Sequence, residues 1–136
     1  MRASQLVDEV IKTLSLENSA VISIAEYENE LNKYDLCLYN MESGLVLFHV
    51  IKSLLSESKE VILDFNGISY IPHAIIDEAL IRLSCEYGKT LAKHVKIINV
   101  SESDRNYIQS SIKYYMYSIF NTIYDDSNMY REAVLA

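Results

Sequence analysis

The sequence predicts an α/β fold, a small mixed sheet covered by helices, with an additional N-terminal helix and a Tyr-rich C-terminal helix. Segments with helical spacing of apolar residues alternate with short apolar runs of strand type, which is the pattern of strands joined by helical crossovers. The 136 residues are 50% apolar, enough for one buried core. Three Gly, one Pro and no repeat or low-complexity tract leave no linker, so residues 1–136 read as a single domain.

Leu6, Val7, Val10, Ile11 and Leu14 stack on one helical face, predicting a first helix over 4–16. Val21 to Ile24 and Tyr34 to Tyr39 are short and rich in β-branched, aromatic or alternating apolar residues, and they predict two strands around the polar stretch Glu26 to Lys33. From Ser43, which can cap a helix, Leu45, Phe48, Ile51, Leu54 and Leu55 recur every three or four residues. Gly44 beside that cap suits a close turn of the backbone. The run KEVILDF at 59–65 reads as a buried strand, closed by the turn pair Asn66-Gly67. Pro72 suits the first turn of the next helix, whose stripe is Ile75, Ile76, Ala79, Leu80, Leu83 and Tyr87 before Gly88 ends it. Val95 to Val100 is a further strand, and the cap-type residues from Ser101 to Asp104 start a last helix with Ile108, Ile112, Tyr115, Met116, Ile119 and Ile123 on one face.

Charge excludes some partners. Twelve Lys+Arg against 19 Asp+Glu give a net charge of -7, and with no basic patch the chain is expected to bind neither nucleic acid nor anionic lipid. No apolar run approaches the ~20 residues that cross a bilayer. The acidic N-terminus lacks a signal-peptide core, and a cytoplasmic location is expected. Cys37 and Cys85, far apart and without CxxC spacing, are expected to be buried, inert thiols.

The stretch from Val61 to Glu78, VILDFNGISYIPHAIIDE, resembles the central strand, loop and helix of the STAS domain, the sulfate-transporter and anti-sigma-factor-antagonist fold. It is most similar to the bacterial STAS-like family of unknown function. Asp64-Phe65, Gly67 to Ile71 and Asp77-Glu78 match that family's strand end, loop and acidic helix start. Ser43-Gly44 and the strand from Ile97 to Val100 fit as well, so the resemblance covers about residues 20–120. In anti-sigma antagonists the turn before this helix carries a serine whose phosphorylation switches partner binding off. Here the turn reads Pro72-His73-Ala74, and Ala74 in the acceptor position has no hydroxyl to phosphorylate.

The sequence offers little chemistry. His49, His73 and His94 have no second ligand at metal spacing, and three glycines cannot write a P-loop or GxGxxG, so neither metal nor cofactor is expected. Asp64, after its strand, is expected to hydrogen-bond the following turn, and Asp77 and Glu78 to complement a helix dipole. Tyr107, Tyr114, Tyr115, Tyr117, Tyr124 and Tyr130 crowd the last thirty positions, more than one helix face can bury.

These residues point to a non-enzymatic protein-interaction or regulatory module. Ser69, His73, Ala74, Ile76, Asp77 and Glu78, in the loop and helix around 69–82, are the expected partner surface. The resemblance implies that the partner is a kinase-like ATPase of the anti-sigma type. Two alternatives remain: a structural homodimer joined through Tyr114, Tyr115 and Tyr117, and a small hydrolase or transferase using Asp64, His73 and Cys85.

Overall fold

In the computed structural model the backbone is described for residues 3–13, 19–57 and 59–123, and the side chains for residues 5–11, 20–57, 59–88 and 90–114. The elements run α1 (Ala3–Thr13), β1 (Ser19–Ser23), α2 (Ile24–Asn32), α3 (Met41–Ser56), β2 (Glu60–Asp64), a π-helical segment (Ile75–Leu80), α4 (Ile81–Tyr87), a 3-10 turn (Gly88–Thr90), α5 (Leu91–His94), β3 (Val95–Ile98) and α6 (Glu102–Ile123). The α/β class is as expected.

The three strands lie in the order β1-β2-β3 and all pair in parallel. The strand expected at 34–39, which would have been the fourth, is a turn, and the polar stretch before it is helix. The reason is the spacing of Ile24, Tyr27 and Leu31, which puts three buried side chains on one helical face among the glutamates. Ser23 caps that helix, its Oγ accepting from the Glu26 amide at 3.2 Å. Asp35, at φ 58°, then reverses the chain.

Alternation along the strands sorts the sheet into two faces. Ala20, Ile22, Val61, Leu63, Val95 and Ile97 are buried. Above them α3 packs on β2 and on the π-helical segment, α1 packs on α3, and α6 packs on the π-helical segment and α4. The other face presents Val21, Ile62, Lys96 and Ile98, with Val21 50% exposed. Among the described residues the helices therefore lie over one face, whereas parallel sheets are usually covered on both.

The third helix begins three residues earlier than expected, with Asn40 rather than Ser43 at its cap position. Ser43 is buried instead, its hydroxyl donating to the carbonyls of Leu38 at 2.8 Å and Asn40 at 2.6 Å. The phenol of Tyr27 donates to the Ser43 carbonyl, and burial pushes that phenol's pKa far upward. Gly44 serves close packing rather than a turn. A Cβ there would collide with the Ala74 carbonyl oxygen and lie 2.8 Å from Glu78 Cβ, so its absence lets α3 press against the start of the next helix.

Candidate partner-docking surface

The surface grows out of the end of β2. Asp64 Oδ1 accepts from the Asn66 amide at 2.9 Å, the local bond expected of it, and also from Asn99 Nδ2 at 2.8 Å. The Asn99 amide foremost, and then the Asn66 N–H, hold this carboxyl below the ordinary carboxylate range. Asn99 reaches it from a left-handed backbone conformation, φ 59°, just past β3. Asn66 and Gly67 form the centre of a turn closed by Ile68 N–H to Phe65 O at 3.1 Å, and Gly67 supplies the φ of 85° that such a turn needs.

Beyond the turn the chain surfaces. Ser69 is exposed and Tyr70 is 78% exposed, while Ile68 and Ile71 pack against the core. Pro72 then accepts at its carbonyl from Ile75 and Ile76, starting the helix where its own missing N–H costs nothing. His73 Nδ1 sits 2.9 Å from the Tyr107 hydroxyl, and the rings meet edge to face at 5.6 Å. That contact ties the helix start to α6.

From Ile75 to Leu80 the helix is π-wound, with the Ile81 amide donating to Ile76 O. Such segments are rare, and each residue inserted into an α-helix rotates the residues beyond it by about 100°. The expected surface needs a correction. Ile76 is 1% exposed and Ala74 is buried, so neither offers its side chain to a partner; both belong to the packing against α3. Ser69, His73 and Asp77 are exposed, and Glu78 is half-buried and paired with Arg82 Nε at 2.9 Å.

Two grooves share the exposed Asp77 and, deeper in their lining, the buried Ile81. One, of about 520 Å³, is lined by Phe48, Asp77, Glu78, Ile81, Arg82, Cys85 and Glu86. The other, of about 380 Å³, lies towards α6 and is lined by Asp77, Ile81, Tyr107, Ser110, Ser111 and Tyr114. Sequence reasoning missed Tyr70, Ile81 and the groove role of Tyr107. An aromatic just beyond an Asn-Gly turn was a usable signal for Tyr70. Nothing local marked Ile81, because its position depends on the π-helical winding.

The residues of the hydrolase alternative have other neighbours. Asp64 is engaged by Asn66 and Asn99, His73 by Tyr107, and Cys85 lines the α3-facing groove. Burial raises the Cys85 thiol's pKa, which disfavours the thiolate a nucleophile needs. Both cysteines are exposed, contrary to the buried thiols expected, since Cys37 falls in the turn after α2 and Cys85 on the outer side of α4. Of the tyrosines expected at an interface, Tyr114 is 77% exposed, and the side chains of Tyr115 and Tyr117 lie outside the described residues, as do Tyr124 and Tyr130 entirely.

Residues 43–105, from α3 to the first turn of α6, match the family model of a STAS-like domain of unknown function. Over this stretch, just under half of the chain, the protein is similar to that family. The matched stretch contains the strand, turn and π-helical segment just described, together with Gly44 and Asn99, and it is narrower than the 20–120 span of the resemblance. No curated protein and no solved structure matched the chain. Among the described residues, no helix is long and apolar enough to cross a membrane, and no three His, Cys, Asp or Glu side chains gather as metal ligands.

Proposed function

We propose that this protein is a non-enzymatic interaction module that docks a protein partner on the exposed part of the loop and helix at 69–82. One observation carries the reading. Within the stretch that matches the STAS-like family, a tight Asp64-anchored turn is followed by Tyr70, 78% exposed, and the next helix carries the exposed Asp77 in the lining of two grooves. Hydrogen bonds from Asn66, Ile68 and Asn99 fix that turn. A large aromatic standing out beside so restrained a turn supplies contact area at small ordering cost, the property of interface anchors.

By resemblance, the partner is a kinase-like ATPase of the anti-sigma type, and the role is that of an antagonist or scaffold. Ala74 has no hydroxyl and is buried, so a phosphoserine switch at that position forms no part of the reading. The test is affinity capture of the tagged full chain at native abundance from its source cells, beside Tyr70→Ala and Asp77→Lys. Both variants change exposed side chains and should keep the wild-type circular dichroism spectrum. An ATPase that co-purifies with wild type and is lost from both folded variants supports docking here. An ATPase retained by both places docking elsewhere.

The exposure of Tyr114 on α6 favours a second reading, a homodimer joined through that helix. A dimeric solution mass that falls to monomer in Tyr114→Ser supports it, and a monomeric wild type removes it.

A further inference from the structure

The groove between the π-helical segment and α6 combines a carboxylate, two tyrosines and an apolar floor. The charges near this groove are mostly neutralised. Glu78 pairs with Arg82 at 2.9 Å, and Glu86 pairs with Lys52 at 3.2 Å, whose ammonium also lies 5.6 Å from the centroid of the Phe48 ring. Asp77 is exposed and has no ion-pair partner among the described residues. It lines a shallow, open groove together with Tyr107 and Tyr114, over the buried Ile81. Tyr107 is held in place by its hydrogen bond and edge contact with His73.

We propose that this groove receives the guanidinium of an arginine presented by a protein partner. Asp77 pairs with the charge, Tyr107 and Tyr114 flank the planar group, and Ile81 supports the methylene stem. The chemistry selects this occupant. An anion is repelled by Asp77 and by the chain's net charge of -7. A purely apolar side chain leaves the carboxylate desolvated without a partner. A guanidinium satisfies a carboxylate through its fork of N–H donors and stacks on aromatic faces, which a compact ammonium does less well. Its remaining donors face the hydroxyls of Ser110 and Ser111 in the same lining.

This inference rests on the docking reading above and names the chemistry of its partner, yet it is tested without one. The full chain is titrated with acetyl-Ala-Arg-Ala-amide, and separately with the same peptide carrying citrulline, a neutral isostere, while heteronuclear NMR follows the protein. The arginine peptide should give saturable shifts centred on Asp77, Ile81, Tyr107 and Tyr114. Affinity should fall by about tenfold in Asp77→Asn, and the citrulline peptide should give none of these shifts. The proposal is overturned by the absence of saturable shifts with the arginine peptide, or by an equal response from the citrulline peptide or the Asp77→Asn protein. A failed titration beside a partner lost from Tyr70→Ala and Asp77→Lys removes the guanidinium assignment alone. Groove shifts beside a partner retained by both variants remove the docking reading and the partner-borne arginine with it, and leave only the groove's preference for a guanidinium.

Discussion

The carboxylate of Asp64 accepts hydrogen bonds from Asn99 and from the Asn66 amide, and both favour its charged form. Because the folded-state pKa is depressed, the stabilisation is complete above the unfolded value and is lost as pH falls through the folded one. Replacing Asp64 with Asn should therefore lower stability most at neutral pH, by an amount that solvent exposure keeps small, with the difference from wild type shrinking through the carboxylate range. Urea unfolding at a series of pH values measures this, and a pH-independent difference would speak against it. The bond to Asn66 was legible in the sequence, because an acid before Asn-Gly serves its own turn. The bond to Asn99 was not, because it spans 35 residues and exists only once β2 and β3 are paired. Ile76 was misplaced on the docking surface for a related reason: on a helix, which side chains meet solvent is set by the element packed against it, here α3.

That contact between α3 and the π-helical segment turns on Gly44. Its missing side chain leaves room for the Ala74 carbonyl and for Glu78 Cβ, and backbone atoms there have little freedom to yield. Gly44→Ala should cost about 3 kcal/mol of unfolding free energy by overpacking, read as a drop in the urea midpoint, and a change within about 0.5 kcal/mol would show that the helices do not approach as described. Long apolar periodicities made α1, α3, α6 and the helix after Pro72 readable. Residues 34–39 misled because six residues of alternating apolar type also fit a turn, while Ile24, Tyr27 and Leu31 were hidden between acidic residues. The π-helical winding had no local signature, since it depends on contacts made across the fold.

The molecule as a whole places its helices over one face of a three-stranded parallel sheet and leaves Val21, Ile62 and Ile98 on the other. The two neighbours Val21 and Ile22 then differ sharply in role. Ile22→Ala should cost about 3 kcal/mol, whereas Val21→Thr should stay within about 0.5 kcal/mol. Comparable losses in thermal or urea unfolding would mean that both faces are covered. Whether one face or two would be covered could not be read from periodicity, because a short apolar strand looks alike in either setting. The proposed docking surface follows from the same architecture. Ser69 and Tyr70 beyond the turn after β2, and Asp77 on the helix that follows, are exposed to solvent.

Docking at this turn is tested most directly by placing a photo-crosslinking amino acid at position 70 of the full chain in its source cells, with a second chain carrying it at position 21 on the open sheet face. The docking reading predicts a discrete crosslinked protein from position 70 that is absent from position 21 and lost when Asp77→Lys is added. A discrete product from position 21 with none from position 70 would contradict it and move the interaction to the sheet.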